Sequence, residues 1–491
     1  MKRMMSVFAL AVTIALPAAA WAQLVDLRLG ANGPAFTYGR TSGRLAAIGG
    51  MVVAVPDETN ELNAIDFGDN VTGLLSDRDA WSTDLWARKG DRTDRSNPVS
   101  RRTVDTDEQG LLFVSRLRDN TLALGLLLAR AGGDLSGSAE DGRDLSGSNV
   151  SALYAQAFGE RLKLGARAGV QEEKEGLSST YVFALRHDAS TAQGGVAAGY
   201  RALDWLQLGV TADYLSSTID GASSSAFHRD QYTWERPGAQ VSGTAIADFG
   251  DATAGLLIRR SSFDGREEVE ANWADRFPLN PTHQNISWRG PTMKEEEDAT
   301  VVLGRLNWEP DERTMVAALL GFGDEQRLVR RKANFDSSLP EMDEDEGSFA
   351  GALGASRWFR EGRLLGAAEA RMDQLSVDGK LARSTYSVDT SHLELSAGAE
   401  YFWTRSLLVR AGLLRSSRKH DTPVGELRHA GYGLTMGVGY VPTGGLLQID
   451  AGYRFQRETP NDESKTLAEQ GGLEVGKLEV QTITISARLL F

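Results

Sequence analysis

Glu479-Val480-Gln481-Thr482-Ile483-Thr484-Ile485-Ser486-Ala487-Arg488-Leu489-Leu490-Phe491 alternates almost without fault. Ile483, Ile485, Ala487, Leu489 and Phe491 fall on one side, and Thr482, Thr484, Ser486 and Arg488 on the other. A β-strand sends successive side chains to opposite faces, so this stretch has one apolar and one polar face. A soluble sandwich can use such a strand. A membrane β-barrel needs one at every position round its wall, apolar toward lipid and polar toward the lumen. The fold therefore turns on whether the pattern recurs.

It recurs from Asp77 onward. Leu122, Leu124, Leu126 and Leu128 share a face; Leu162, Leu164, Ala166, Ala168 and Val170 oppose Lys163, Arg167 and Gln171. Leu206, Leu208, Val210, Ala212 and Tyr214 oppose Gln207, Thr211 and Asp213. Leu393 to Tyr401, Tyr432 to Tyr440 and Leu447 to Phe455 repeat the arrangement. Each run is about nine to eleven residues, the length of a tilted membrane strand. A charge turned into lipid costs roughly 2–4 kcal/mol at the midplane, so several charges per strand fix which face is the lumen.

The connections are of two kinds. Short ones rich in Gly, Asp, Asn and Pro fall at 118–120, 159–160, 203–204, 250–251, 309–312, 360–362, 404–405 and 442–445, and read as hairpin turns. Long polar ones fall at 133–148, 219–238, 263–297, 328–346 and 459–477. Short turns at one rim and long loops at the other follow the bacterial outer-membrane plan, with the short rim in the periplasm. Eight hairpins, an opening strand near Arg78–Arg88 and a closing strand give about eighteen strands, with 14–18 as the range because 178–202 reads as one strand or two. Phe158, Trp205, Phe249, Trp308, Trp358, Trp403 and Tyr440 each lie close to a short turn, as an aromatic girdle at the periplasmic interface requires.

The first residues have a different character. Lys2 and Arg3 precede an apolar run, Val7 to Ala20, and Ala20-Trp21-Ala22 is a small-x-small cleavage site. Residues 1–22 read as a secretory signal peptide, too short for a membrane anchor. Residues 23–75 do not alternate. They contain Gly49-Gly50, Val53-Ala54-Val55, Asp57-Glu58 and Asn70-x-x-Gly73-Leu74, in that order. This order resembles the N-terminal segment of the FadL-type outer-membrane channels, with Val71 and Thr72 where that family has Pro-Ala. The C-terminal strand ending on Phe491 fits the same resemblance, as a signal for the barrel assembly machinery. The resemblance implies that 23–75 is a hatch, with Gly49, Gly50, Asp57, Asn70 and Gly73 among its residues. It also implies passive uptake of small, hydrophobic or amphipathic molecules. A plain periplasmic extension is the other reading of 23–75, and residues 76–491 form the barrel.

Composition narrows the function classes. Net charge is -14, and near -16 without the signal, which argues against a nucleic-acid partner. No Cys is present, so there is no disulfide framework and no thiolate metal site. No cofactor motif occurs, and His187, Asp188 and Ser190 are close only in sequence, which is not triad geometry. The expected surroundings are outer-membrane lipid and lipopolysaccharide, with a small-molecule solute inside. The lumen candidates are Lys163, Arg167, Asp213, Glu369, Arg371, Asp373, Glu394, Glu400, Arg410, Asp450, Arg454 and Arg488. They read either as charges selecting a solute or as an ion-pair lattice in the wall, and the second reading is favoured. The acidic runs 295–298 and 341–346 read as solvated loop charges rather than a cation site. The loop 263–297, with Trp273, Phe277 and Trp288, is apolar enough either to fold into the lumen or to cap the outer mouth.

Overall fold

Alternation of this kind forces a choice between two faces at every strand, and the computed structural model shows that choice where the side chains are described. The described residues are 44, 47, 48, 51, 53–55, 72, 75, 81–95, 102–117, 121–136, 142–179, 183–225, 228–273, 286–331, 342–381, 384–422, 425–442, 447–460 and 477–490. They hold eighteen strands: β1 Trp81–Arg95, β2 Arg102–Leu117, β3 Leu122–Ser136, β4 Gly142–Phe158, β5 Leu162–Ser179, β6 Phe183–Leu203, β7 Leu206–Ser225, β8 His228–Asp248 and β9 Ala252–Trp273. The second half continues with β10 Ile286–Asp311, β11 Thr314–Arg331, β12 Met342–Phe359, β13 Leu364–Leu381, β14 Ser384–Phe402, β15 Leu407–Thr422, β16 Gly425–Tyr440, β17 Leu447–Pro460 and β18 Lys477–Leu490. Each strand pairs antiparallel with its neighbours in sequence, and β1 pairs with β18 from Ser82↔Leu490 to Arg95↔Lys477. The cycle of hydrogen bonds is thereby complete. No edge is left for another chain to join.

Register shows how the outer face is built. On β15, β16 and β17 the rows Leu407↔Tyr440↔Ile449, Val409↔Val438↔Ala451, Ala411↔Met436↔Tyr453 and Leu413↔Leu434↔Phe455 lie one above another. Leu413, Leu434, Met436 and Val438 are all about half exposed or more, while the alternate residues Leu414, Thr435 and Arg410 are buried. The apolar side chains thus point outward, and the polar ones point in. From Tyr440 to Tyr432 is eight residues, about 27 Å along a strand. A tilt of about 40° brings that to roughly 20 Å, comparable to the apolar band of about 25 Å on membrane barrels. The protein is a β-barrel with an outer apolar band of membrane dimensions, and no described helix is long and apolar enough to cross a membrane.

Six short turns lie among the described residues where the sequence puts them, joining β4–β5, β6–β7 and so on to β14–β15, while 118–120 and 443–445 lie outside those residues. Their chemistry is local. At the β10–β11 turn the Asp311 carboxylate accepts from the Arg313 N–H at 2.9 Å and the Thr314 hydroxyl at 3.1 Å. The Arg313 bond is the larger cause that lowers the Asp311 pKa. Gly159, Gly250 and Gly362 take φ of 70°, 91° and 83°, where a Cβ is disfavoured.

Strand lengths depart from expectation. They run from 14 to 26 residues rather than nine to eleven. Most of three segments read as long loops is strand: 133–136 with 142–148, 219–225 with 228–238, and 263–273 with 286–297, the last two being the paired arms of β9 and β10. These arms are strand and not loop, and the remainder, 274–285 with Phe277, lies outside the described residues. The physical reason is that polar strands outside lipid need no apolar face, so alternation stops while hydrogen bonding continues. Of residues 178–202, 178–179 end β5 and 183–202 belong to β6, with 180–182 outside the described residues.

Candidate functional site

The inner wall carries a seat for the N-terminal segment. Arg44 donates to both oxygens of Glu400 at 3.0 Å from Nε and 3.0 Å from a terminal nitrogen. One oxygen of Glu369 accepts the backbone N–H of Val53 at 2.7 Å and of Ala54 at 2.9 Å. Thr435 donates to the carbonyl of Ala47 at 2.9 Å, and Lys163 to that of Leu75 at 3.1 Å. Wall glycines make room. A Cβ on Gly354 would lie 2.6 Å from Ala54, on Gly398 2.5 Å from the Ile48 carbonyl, on Gly437 2.4 Å from Ala47, and on Gly199 2.6 Å from Thr72.

Apolar contacts complete the seat. Ile48, Met51, Ala54 and Val55 bury against Leu365 and Ala367; Val53 buries against Met315, Ala317 and Leu319; Leu75 buries against Val114, Ala123 and Leu153. Leu365, Met315 and Ala123 are near the short turns, so the described residues of this part lie against the inner wall at its short-turn end. Arg44, Ala47, Ile48, Met51, Val53, Ala54, Val55, Thr72 and Leu75 are the described residues of this part. Gly49, Gly50, Asp57, Asn70 and Gly73 lie outside them, as do the signal peptide and Phe491.

Above and beside the seat, the wall charges pair across an intervening strand, and glycine makes the reach possible. Arg167 on β5 bonds Asp213 on β7 at 2.7 and 2.5 Å, passing over Gly195 on β6. Arg410 on β15 bonds Asp450 on β17 at 2.5 Å over Gly439 on β16, and Glu400 on β14 at 2.6 Å. Ser416 on β15 reaches Glu458 on β17 at 3.0 Å over Gly431 on β16. Arg236 on β8 reaches Glu295 on β10 at 3.0 Å over Gly265 on β9. Tyr386 on β14 bonds Glu344 on β12 over Gly379 on β13. In each case a Cβ on the glycine would fall within 3 Å of the bridging side chain. A strand separation of about 4.8 Å puts second neighbours near 10 Å apart, which only a long side chain lying flat can span.

This gives a test. A Cβ at position 195 would sit 1.7 Å from Asp213 Oδ1. Gly195→Ala is expected to cost about 1–3 kcal/mol, as overpacking does. In an Asp213→Ala background it should cost little, because the obstructing carboxylate is gone. A double-mutant cycle on urea unfolding in lipid vesicles measures this, and equal costs in both backgrounds would exclude Asp213 as the obstacle.

Of the sequence candidates, Lys163, Arg167, Asp213, Glu369, Glu394, Glu400, Arg410, Asp450 and Arg454 occupy inward positions and are buried or half-buried. Arg454 bonds Glu394 at 2.8 Å, and Arg371, inward and water-exposed, meets Asp373 at 3.0 Å. The backbone of Arg488 lies opposite Gln448, with its side chain outside the described residues. Phe158, Trp205, Phe249, Trp308, Trp403 and Tyr440 are exposed on the outer face, and Trp205 stacks on Phe249 at 5.6 Å. Trp358 is a correction. It shares a face with Ala352, Gly354 and Ser356, and packs against the seat cluster of Ile48, Met51 and Leu365. Phe359, 46% exposed, takes the outward place.

The acidic runs are also corrected: they are strand, not loop. Glu295 is 1% exposed and held by Arg236 and by Arg327 at 2.5 Å. Among the described residues no group of His, Asp and Glu is arranged to hold a metal. Glu325, absent from the sequence candidates, lies on β11 three residues beyond Phe322, opposite Ala299 on β10 and Glu346 on β12. Burial, then Glu297 and Glu346, push its carboxyl up to about 7 from 4.5. The folded chain therefore holds a proton there that the unfolded chain has lost. Stability is expected to fall as pH rises from about 4.5 to about 7. Glu325→Gln should flatten that part of the stability–pH curve; an unchanged slope would remove Glu325 as its source.

Neither a family model nor a curated protein matches the chain. Among solved structures it is similar to the Pseudomonas putida toluene transporter TodX, at 13% identity over 92% of this chain and 98% of that one, TM-score 0.38. It is similar to the Ralstonia pickettii toluene transporter TbuX, at 12% identity over 92% and 98%, TM-score 0.38. It is also similar to the ferric citrate transporter FecA in the unliganded form, at 9% identity over 84% and 79%, TM-score 0.42.

Proposed function

We propose that this protein is a plugged outer-membrane channel for the passive uptake of small, hydrophobic or amphipathic molecules. The observation that carries the reading is the seat: Glu369, Glu400, Thr435 and Lys163 each bond the N-terminal segment. Glu400 does so while also holding Arg410 of the wall, so lattice and seat share a residue. The bonds to Val53 and Ala54 are to backbone, so they favour the segment's path and not its side-chain chemistry. The solute class comes from the FadL-type resemblance of 49–74. A general diffusion porin has no use for such a seat.

Planar-bilayer conductance separates the three. The intact protein is expected to conduct weakly, and deletion of 23–75 to raise conductance severalfold. A large conductance from the intact protein would favour the porin, and none from either form would favour the scaffold.

A further inference from the structure

The rows of β15, β16 and β17 end abruptly. Above Leu413↔Leu434↔Phe455 comes Arg415↔Tyr432↔Arg457. Two arginines flank a tyrosine that is 58% exposed, directly over the last apolar row. All three face outward, since they share the faces of Leu413, Leu434 and Phe455. Arg415 is exposed and has no acid paired with it among the described residues. Arg457 meets only Glu479, at 3.6 Å and on the far side, toward β18. Beyond the uncharged row Ser417↔Ala430↔Thr459, the next charged tier is different in kind. There Lys419 bonds Asp421 at 2.6 Å and Glu426 at 3.1 Å, and Arg428 also pairs with Glu426. Charges in that tier satisfy one another, while at the lipid boundary Arg457 has one acid at 3.6 Å on its far side.

An arginine placed at the edge of a membrane belt keeps its stem on apolar surface and its head at headgroup depth. One alone is an anchor. Two, on strands two apart and so about 10 Å from each other, form a fixed pair of donors with an amphipathic ring between them. Guanidinium forks match phosphate oxygens in a bidentate manner. Short turns place the opposite rim in the periplasm, so this row lies in the outer leaflet.

We propose that Arg415, Tyr432 and Arg457 form a binding site for a phosphorylated glycolipid of the outer leaflet, of the lipid A type. Its phosphate lies between the two guanidinium groups. Its acyl chains run down the Leu413, Leu434 and Phe455 row and onto Met436 and Tyr453. The sugar backbone packs on the Tyr432 ring. The site is separate from the lumen and independent of whether the channel conducts.

The test uses the full-length protein in detergent, titrated with lipid A, with dephosphorylated lipid A, with phosphatidylglycerol or with inorganic phosphate, and read by native mass spectrometry. Lipid A is expected to bind one-to-one, and Arg415→Gln/Arg457→Gln to weaken it at least tenfold. Tyr432→Ala should weaken it less. Heat-modifiable migration on gels checks that each variant is folded. Equal binding of lipid A by the double variant would overturn the site. Equal binding of dephosphorylated lipid A would overturn the phosphate contact. Binding of phosphatidylglycerol as tight as that of lipid A would overturn the glycolipid assignment, and retention of inorganic phosphate alone would overturn the lipid.

Discussion

Arg410→Ala is expected to destabilise the barrel by about 3–5 kcal/mol, the cost of breaking a buried ion pair from one side. The Arg410 side chain is 0% exposed and lies between Glu400, 1% exposed, and Asp450, 5% exposed. Removing the guanidinium leaves two carboxylates inside the wall, with Arg44 from the N-terminal segment as a remaining partner of Glu400. Arg410→Lys should recover little, because one ammonium lacks the fork that meets both acids. Urea unfolding of the protein refolded into vesicles measures the loss. A cost under about 1 kcal/mol, the range of exposed pairs, would mean that water reaches these groups and that the wall is open there. The same variant should loosen the seat, because Glu400 would be free to swing with Arg44. Conductance of the intact chain is therefore expected to rise with the loss of stability.

Met436→Arg is expected to cost about 2–4 kcal/mol, with Ala430→Arg costing only about 0–1 kcal/mol. Met436 is 55% exposed on the outer face, midway between Tyr432 and Tyr440. Ala430 shares that face beyond Tyr432. Depth alone distinguishes the two sites, so the pair measures where the hydrocarbon lies. Equal costs at the two positions would mean that the outward face does not meet a membrane, and the function proposed above would go with it.

Much of the barrel was legible because lipid imposes a binary code. Leu393 to Tyr401 or Leu447 to Phe455 can be read without knowing a neighbour, since each strand answers to the same two solvents. The turns were legible because Gly, Asp and Pro mark them locally. Beyond the lipid the code lapses, which is why the arms 263–273 and 286–297 looked like loop. Trp358 was misread because closeness to a turn says nothing of parity, and the adjacent Phe359 satisfies the girdle equally well. The lumen residues were legible one by one. Their partners were not: pairing Arg167 with Asp213 requires two registers and the knowledge that Gly195 lies between them. The seat was least legible. Arg44, Ala47 and Thr72 carry no periodic signal, and their roles come from the glycines and acids far along the chain that receive them.

The pairing of β1 with β18 has a consequence for how the molecule comes into being. Ser82 and Leu490 are about four hundred residues apart in sequence. Bringing such distant partners together is entropically slow, and the contact cannot form until the final strand has left the ribosome. Every intermediate before that moment is a curled ribbon with two raw margins, each able to recruit a stranger. Production of this chain is therefore governed by how those margins are guarded in transit, a task suited to the barrel assembly machinery proposed as its partner. A variant lacking the closing strand is expected to accumulate as aggregate in the periplasm, however sound the remaining seventeen strands.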